Sequence, residues 1–232
     1  MPPRPRRGSG RFVFPVLNRA IQGVVLFEKP FHYDQFLSIV TEAAERYGVR
    51  ILAYSVMPNH WHLVVWPTTD EGLSGFMQWL TATHAKRWRE FRGSTGRGAL
   101  YQARYKAIAV QSDAHFLRLC RYVERNPLRA RLVARAEDWP WTSASPLSLR
   151  DDRPRLSPWP VARPGDWEEW LNVPEPTETL NEIRHAIRRG LPFGNVLWRA
   201  LTAKRLGWGR PFRPPGRPPT GSHAIDPRRA FF

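Results

Sequence analysis

Two short segments of the chain hold residue types that could do chemistry together. The first reads Met57-Pro58-Asn59-His60-Trp61-His62-Leu63-Val64-Val65. In an extended strand residues i and i+2 point to the same side. His60 and His62 therefore project together, close enough to hold one metal ion, while Trp61 turns to the opposite face. Neutral imidazole is the commonest metal ligand. Two surface histidines at a strand start would give the same spelling. Against that, the pair follows a Pro-Asn break and opens a very apolar strand, where polar side chains need a reason. The second segment reads Arg121-Tyr122-Val123-Glu124-Arg125-Asn126-Pro127. On a helix Tyr122 and Asn126, at i and i+4, share a face. A tyrosine beside an apolar stripe serves either as a core-edge residue with a solvated hydroxyl or as a nucleophile. A phenol of pKa about 10 attacks poorly unless a metal or a base helps it. His60, His62 and the side-chain carbonyl of Asn126 would supply three ligands of a metal beside Tyr122.

The elements that must position these residues follow from periodicity. Arg11 to Leu17 and Val24 to Phe27 read as two short strands, and Tyr33 to Tyr47 as an amphipathic helix. Val49 to Met57 and His62 to Trp66 read as buried strands on either side of Pro58-Asn59. Leu73 to Phe91 is a long helix, with His84 on its apolar stripe as a core-edge residue; Gly93 to Gly98 is a loop, and Tyr105 to Val110 a strand. A helix should start near Ser112-Asp113, bury Phe116, Leu119, Cys120 and Val123, and end at Pro127. Cys120 is then helix core, and Glu124 points to a different side from Tyr122, into solvent. The segment 137–176 is Trp/Pro-rich and irregular, packing against the rest, and Thr179 to Arg189 is a last helix with Gly190 as its cap. The order ββαββαβα up to residue 127 implies an α+β fold, a four- to five-stranded, largely antiparallel sheet with helices packed on it.

Composition sets the partner class. The 232 residues carry 36 Lys+Arg against 20 Asp+Glu, a net charge of +16, which points to a polyanion. Residues 1–11 hold +4 and residues 199–232 hold +7, so the segment between them keeps only +5. Only four of the basic residues are lysines. Arginine forks onto phosphate and stacks on bases in ways that lysine does not. A single cysteine excludes an intramolecular disulfide and a multi-cysteine zinc site. No stretch reaches the roughly 18 apolar residues of a membrane span, and the start lacks the apolar run of a signal peptide; a cytoplasmic protein without a membrane partner is expected. Pro215-Gly216-Arg217-Pro218 has the spelling of an AT-hook core, an extended Arg-bearing strand for a minor groove, and equally of a solvated basic linker.

These residues carry a family resemblance. Met57 to Leu63 resembles the MPNHxHLL signature of the small single-tyrosine HUH transposases of bacterial insertion sequences. Tyr122 to Pro127, continued by Leu128, Arg129, Ala130 and Val133, resembles their YIxxNPxxA motif. Leu100 to Lys106 is similar to an LxQGRYK segment, departing at Ala103, where the family has glycine, and Asn18-Arg19 matches an early Asn-Arg pair. The match covers about residues 11–145 in order and spacing. Pro192-Phe193-Gly194 and the Gly-Arg-Pro tail resemble the REP-associated branch.

The resemblance implies a ferredoxin/RRM-like HUH fold and a metal-dependent single-strand DNA transposase or nuclease. It implies Tyr122 as the nucleophile that forms a 5′-phosphotyrosine link, His60, His62 and Asn126 as metal ligands, and Mg²⁺ or Mn²⁺ as the ion. Ligand type alone would favour Mn²⁺ or Zn²⁺. It also implies DNA hairpins as substrate and, for this branch, a monomer more than the homodimer common in the wider family. The expected organisation is a basic arm at 1–10, a catalytic domain at 11–145, a Trp/Pro-rich extension with a short helix at 146–198 and a basic tail at 199–232. Substrate binding should combine phosphate contacts with stacking. Arg19, Arg104 and Lys106 in the body and Arg213 and Arg217 in the tail are the candidates. Two rival readings share the residues: a non-catalytic RRM-like nucleic-acid binder, and a metal-dependent hydrolase in which water, not Tyr122, attacks.

Overall fold

A computed structural model describes residues 9–21, 24–93 and 98–207. The tail arginines Arg213 and Arg217, the Pro215-Gly216-Arg217-Pro218 segment, most of the basic arm and part of the Gly93–Gly98 loop lie outside the described residues. Four strands, β1 (Phe14–Arg19), β2 (Val49–Met57), β3 (His60–Pro67) and β4 (Lys106–Ala107), form one antiparallel sheet in the order β2-β3-β1-β4. Helices α1 (Pro30–Tyr47) and α2 (Gly72–Phe91) lie on one face; α3 (Ala114–Glu124) and α6 (Thr177–Arg189) lie on the other. The short helices α4 (Asn126–Arg129) and α5 (Trp167–Asn172) and a terminal α7 (Val196–Arg205) complete the described fold. None of the described helices is long and apolar enough to cross a membrane.

The period of two in β3 divides its side chains between the faces. Trp61, Leu63 and Val65 enter the core shared with α1 and α2, whereas Val64 enters the core shared with α3 and α6. In β2 the register shifts between Ile51 and Ala53, so Leu52 and Ala53 both turn to the α3/α6 face. Beyond that bulge Tyr54 and Val56 fill the α1/α2 core, leaving Ser55 and Met57 on the α3/α6 side.

Local chemistry sets the helix ends. Pro30 opens α1, where its missing N–H costs nothing, and Gly48 closes it at φ 59, ψ 50. Asp113 caps α3 by accepting from the His115 N–H at 2.8 Å. Glycine at 190 closes α6 at φ 68.

Four expectations need correction. Val24 to Phe27 is a loop. Leu26 and Phe27 are both buried, and both of their N–H groups donate to the Pro58 carbonyl, so no ladder forms. The segment from Tyr105 to Val110 keeps its alternation, but its ladder is reduced to Lys106–Ala107 and an isolated bridge from Val110 to Val13. Pro127 does not simply end α3: the helix breaks at Arg125, and the proline sits in the first turn of α4. Glu124 is buried, not solvated. It accepts from the Ser143 hydroxyl at 2.6 Å and the Trp167 indole at 2.8 Å.

The Trp/Pro-rich stretch covers the free edge of β2. Val56 donates to the Trp141 carbonyl, Ser143 to that of Tyr54 and Ser157 to that of Ile51. Trp139 and Trp159 send their indole N–H groups to Val56 and Leu52 carbonyls. An edge strand so covered offers few groups to another chain. Helix α7 was not read from periodicity because Val196, Leu197 and Leu201 are exposed, so its apolar residues do not mark a buried stripe. It also crosses the expected boundary between residues 198 and 199.

Candidate active site

Pairing across the sheet places two rows of side chains under α3. Directly opposed residues of antiparallel strands share a face. One row is Met57–His60–Arg19, and the other is Ser55–His62–Leu17–Lys106. His60 and His62 thus stand one pleat apart with ring centroids 5.2 Å from each other. Trp61 turns to the far face, where its indole N–H donates to the Tyr101 hydroxyl at 3.1 Å.

Helix α3 buries Phe116, Leu119, Cys120 and Val123 and carries Tyr122 beside them, 2% exposed. The Tyr122 ring meets that of His62 edge to face at 6.0 Å. The break at Arg125 and the restart as α4 bring buried Asn126 to the same place. His60, His62, Tyr122 and Asn126 line one cavity of about 640 Å³. Arg19 and Lys106 line it too. Arg104 is exposed and does not.

Electrostatics keeps both histidines uncharged, the form in which imidazole can bind a metal. Burial, with Arg19 and Arg129 nearby, pushes His60 down to about 3. Burial and the neighbouring His60, Arg129 and Arg19 hold His62 well below the usual imidazole range. Both rings are therefore neutral at physiological pH, and protons do not compete for their lone pairs. His60 Nδ1 lies 2.7 Å from Asn59 Oδ1. That carbonyl accepts a hydrogen bond from Nδ1–H, the usual second partner of a ligating histidine, which leaves the Nε2 lone pair free to coordinate. Among the described residues no group of three His, Cys, Asp or Glu could hold an ion. Asn126, the third ligand that the resemblance implies, lines the same cavity, as do the amides Asn59 and Asn181. Two imidazoles and an amide oxygen fit a divalent cation.

Two residues that the sequence reading did not single out hold the tyrosine. The Arg129 guanidinium lies over the Tyr122 ring, 4.2 Å from its centroid, and its Nη2 donates to the Tyr122 carbonyl at 3.3 Å. Its Nη1 pairs with Glu175 at 3.0 Å, and Arg125 approaches the same carboxylate at 3.9 Å. Glu175 is buried and comes from the loop before α6. Arg129 lay within the motif that resembles YIxxNPxxA, but nothing local marked its contact with the ring. Glu175 lies 46 residues away and had no sequence signature. Asn181, Arg184, His185 and Arg188 of α6 also line the cavity, and their helical spacing was legible.

The arrangement can present a phenol to an anionic group beside a bound cation, within a cavity whose described lining has arginines and a lysine and no carboxylate. No curated protein matches. The structure of a REP-associated tyrosine transposase bound to a REP hairpin is similar, with 17% sequence identity, a TM-score of 0.49, and coverage of 68% of this chain and 99% of that one. Residues 12–126, which span β1 through Asn126, match the family described as IS200-like transposase. The chain belongs to that family of DNA-processing transposases.

Proposed function

We propose that the chain is a metal-dependent single-strand DNA transposase or nuclease that cleaves and rejoins DNA at hairpin, REP-like sequences through a 5′-phosphotyrosine intermediate. The observation that carries the reading is the shared cavity of Tyr122, His60, His62 and Asn126, with Arg129 over the tyrosine ring. Tyr122 Oη attacks the scissile phosphate. The Tyr122 Oη–P bond forms, the P–O3′ bond breaks, and the phenolic proton ends on the released 3′-hydroxyl. One phosphodiester replaces another, so the 3′-hydroxyl can reverse the step without ATP. Bound at His60, His62 and Asn126, Mg²⁺ or Mn²⁺ would polarise a nonbridging oxygen and steady the leaving 3′-oxygen. Arg129 fixes the ring plane, and its charge favours the developing phenolate. Arg19 and Lys106 contact phosphates near the scissile bond, with Arg104 outside the cavity on the approaching strand.

The hairpin substrate rests on the resemblance of Pro192-Phe193-Gly194 and the Gly-Arg-Pro tail to the REP-associated branch. In this reading the tail, with Arg213 and Arg217, grips the duplex while the body acts on the single strand, and the chain works as a monomer. Removing residues 210–232 should weaken binding and lower its salt dependence more than it slows cleavage at saturation. The cleavage reading is tested on denaturing gels with a single-stranded hairpin oligonucleotide and Mn²⁺. A covalent protein–DNA band in the wild type that is lost by Tyr122→Phe, with hairpin binding retained, is the expected result. Nicking that survives Tyr122→Phe would assign the attack to water.

A further inference from the structure

Helix α6 lies beyond residues 12–126, the part of the chain that defines the family. One stripe of it, Ile183, Ala186 and Ile187, is buried against the α3 side of the sheet. The adjoining stripe, Asn181, Arg184, His185 and Arg188, follows the spacing i, i+3, i+4, i+7 and faces the cavity that holds Tyr122. Packing thus fixes the helix and aims its polar stripe at the site. Arg184 Nε is buried and has no hydrogen-bond partner in the protein, an unmet donor in the cavity wall. Across the cavity the sheet presents Arg19 and Lys106, and α4 presents Arg129. The described lining contains no Asp or Glu, and the carboxylate that pairs with Arg129, Glu175, lies outside it. A trough with cations and amide donors on both sides suits a ligand with regularly spaced negative charges.

We propose that this stripe of α6 is a backbone-binding wall for the single-stranded DNA beside the scissile phosphate, with Arg184 and Arg188 on phosphate oxygens and Asn181 and His185 as further hydrogen-bonding partners. The inference rests on the cleavage reading for the choice of DNA as the polyanion. Arg189, one residue on, is exposed and does not line the cavity, so the helix itself supplies a control for bulk charge.

The test uses the full chain and an unstructured single-stranded oligonucleotide in chelator, so that binding is read without cleavage. Each phosphate contact on a single strand contributes about 0.7 to the slope of log affinity against log salt. Arg184→Ala with Arg188→Ala should make the slope shallower by about 1.4, whereas Arg189→Ala with Arg199→Ala, which removes the same charge outside the cavity, should leave it near the wild-type value. Equal slopes for the two pairs would overturn the wall and reduce it to bulk charge. Arg188→Glu, at an exposed position that does not threaten folding, should weaken binding more than Arg189→Glu does; equal losses would also overturn it. A protein that shows the slope difference yet never forms a covalent adduct would support the wall and contradict the cleavage reading, so the two fail separately.

Discussion

The two faces of the sheet use buried histidine in opposite ways. Under α2, His84 stacks on Phe27 with centroids 5.4 Å apart and meets the edge of Phe36 at 4.9 Å. Its Nδ1 accepts a hydrogen bond from the Tyr101 hydroxyl, whose oxygen accepts from the Trp61 indole. Under α3, His60 and His62 lie side by side and open onto a cavity shared with Tyr122 and Asn126. Burial holds all three imidazoles neutral. Neutrality is thus common to both faces and does not mark a site. The distinction lies in the neighbours. The Trp61–Tyr101–His84 chain consumes its own hydrogen-bonding capacity in a packed core, whereas the His60–His62 pair faces open volume and keeps free lone pairs.

Substitution should separate the faces. The largest effect beyond that of the nucleophile is expected for His62→Ala, which should lower cleavage by at least about 100-fold through loss of a metal ligand. His84→Leu should leave cleavage within a few-fold and instead cost about 1–3 kcal/mol in urea unfolding, because Tyr101 loses its acceptor in a buried place. Equal damage to cleavage from both substitutions would remove the distinction.

Acid should act on both faces alike. His84 titrates near 3 in the folded chain against a reference of 6.5. A depressed histidine pKa means that the unfolded state binds the proton first. Its contribution to stability is therefore complete above pH 6.5 and is lost as pH falls from there towards 3. The loss is about 1.4 kcal/mol per pH unit, or about 2 kcal/mol between pH 6.5 and 5. His84→Leu should flatten the pH dependence of unfolding by that amount. An unchanged slope would show that His84 is not the neutral, buried group described.

The smallest expected effect concerns the brace behind the tyrosine. Glu175→Gln weakens the hold on Arg129 without touching the cavity, and should lower the cleavage rate about fivefold with hairpin affinity unchanged, a loss of about 1 kcal/mol typical of a cation–π contact. An equal fall in affinity would assign Glu175 to binding instead.

How far these features could be read in advance depended on range. The His60–His62 pair and the Tyr122–Asn126 face follow from periods of 2 and 3.6, which are properties of the local backbone. The dry face was legible too, since Trp61 turns away from the histidine pair and His84 sits on the apolar stripe of α2, as expected. Glu124 was misplaced because its partners, Ser143 and Trp167, lie 19 and 43 residues away. A carboxylate looks solvated until the groups that satisfy it are in view. Arg129 and Glu175 were missed for the same reason. The stacking on Tyr122 requires the break at Arg125, which no periodicity encodes. Val24 to Phe27 has strand composition, but the Pro58 carbonyl captured its N–H groups first.

The central claim is that the α3 face, through Tyr122, makes the covalent bond to DNA. The direct measurement is mass spectrometry of the full chain after reaction with a hairpin oligonucleotide and Mn²⁺, nuclease trimming and proteolysis. The account predicts one nucleotide-bearing peptide, with the phosphate on Tyr122. A phosphate carried instead by Tyr101 or Tyr105, or efficient cleavage with no modified peptide, would contradict it.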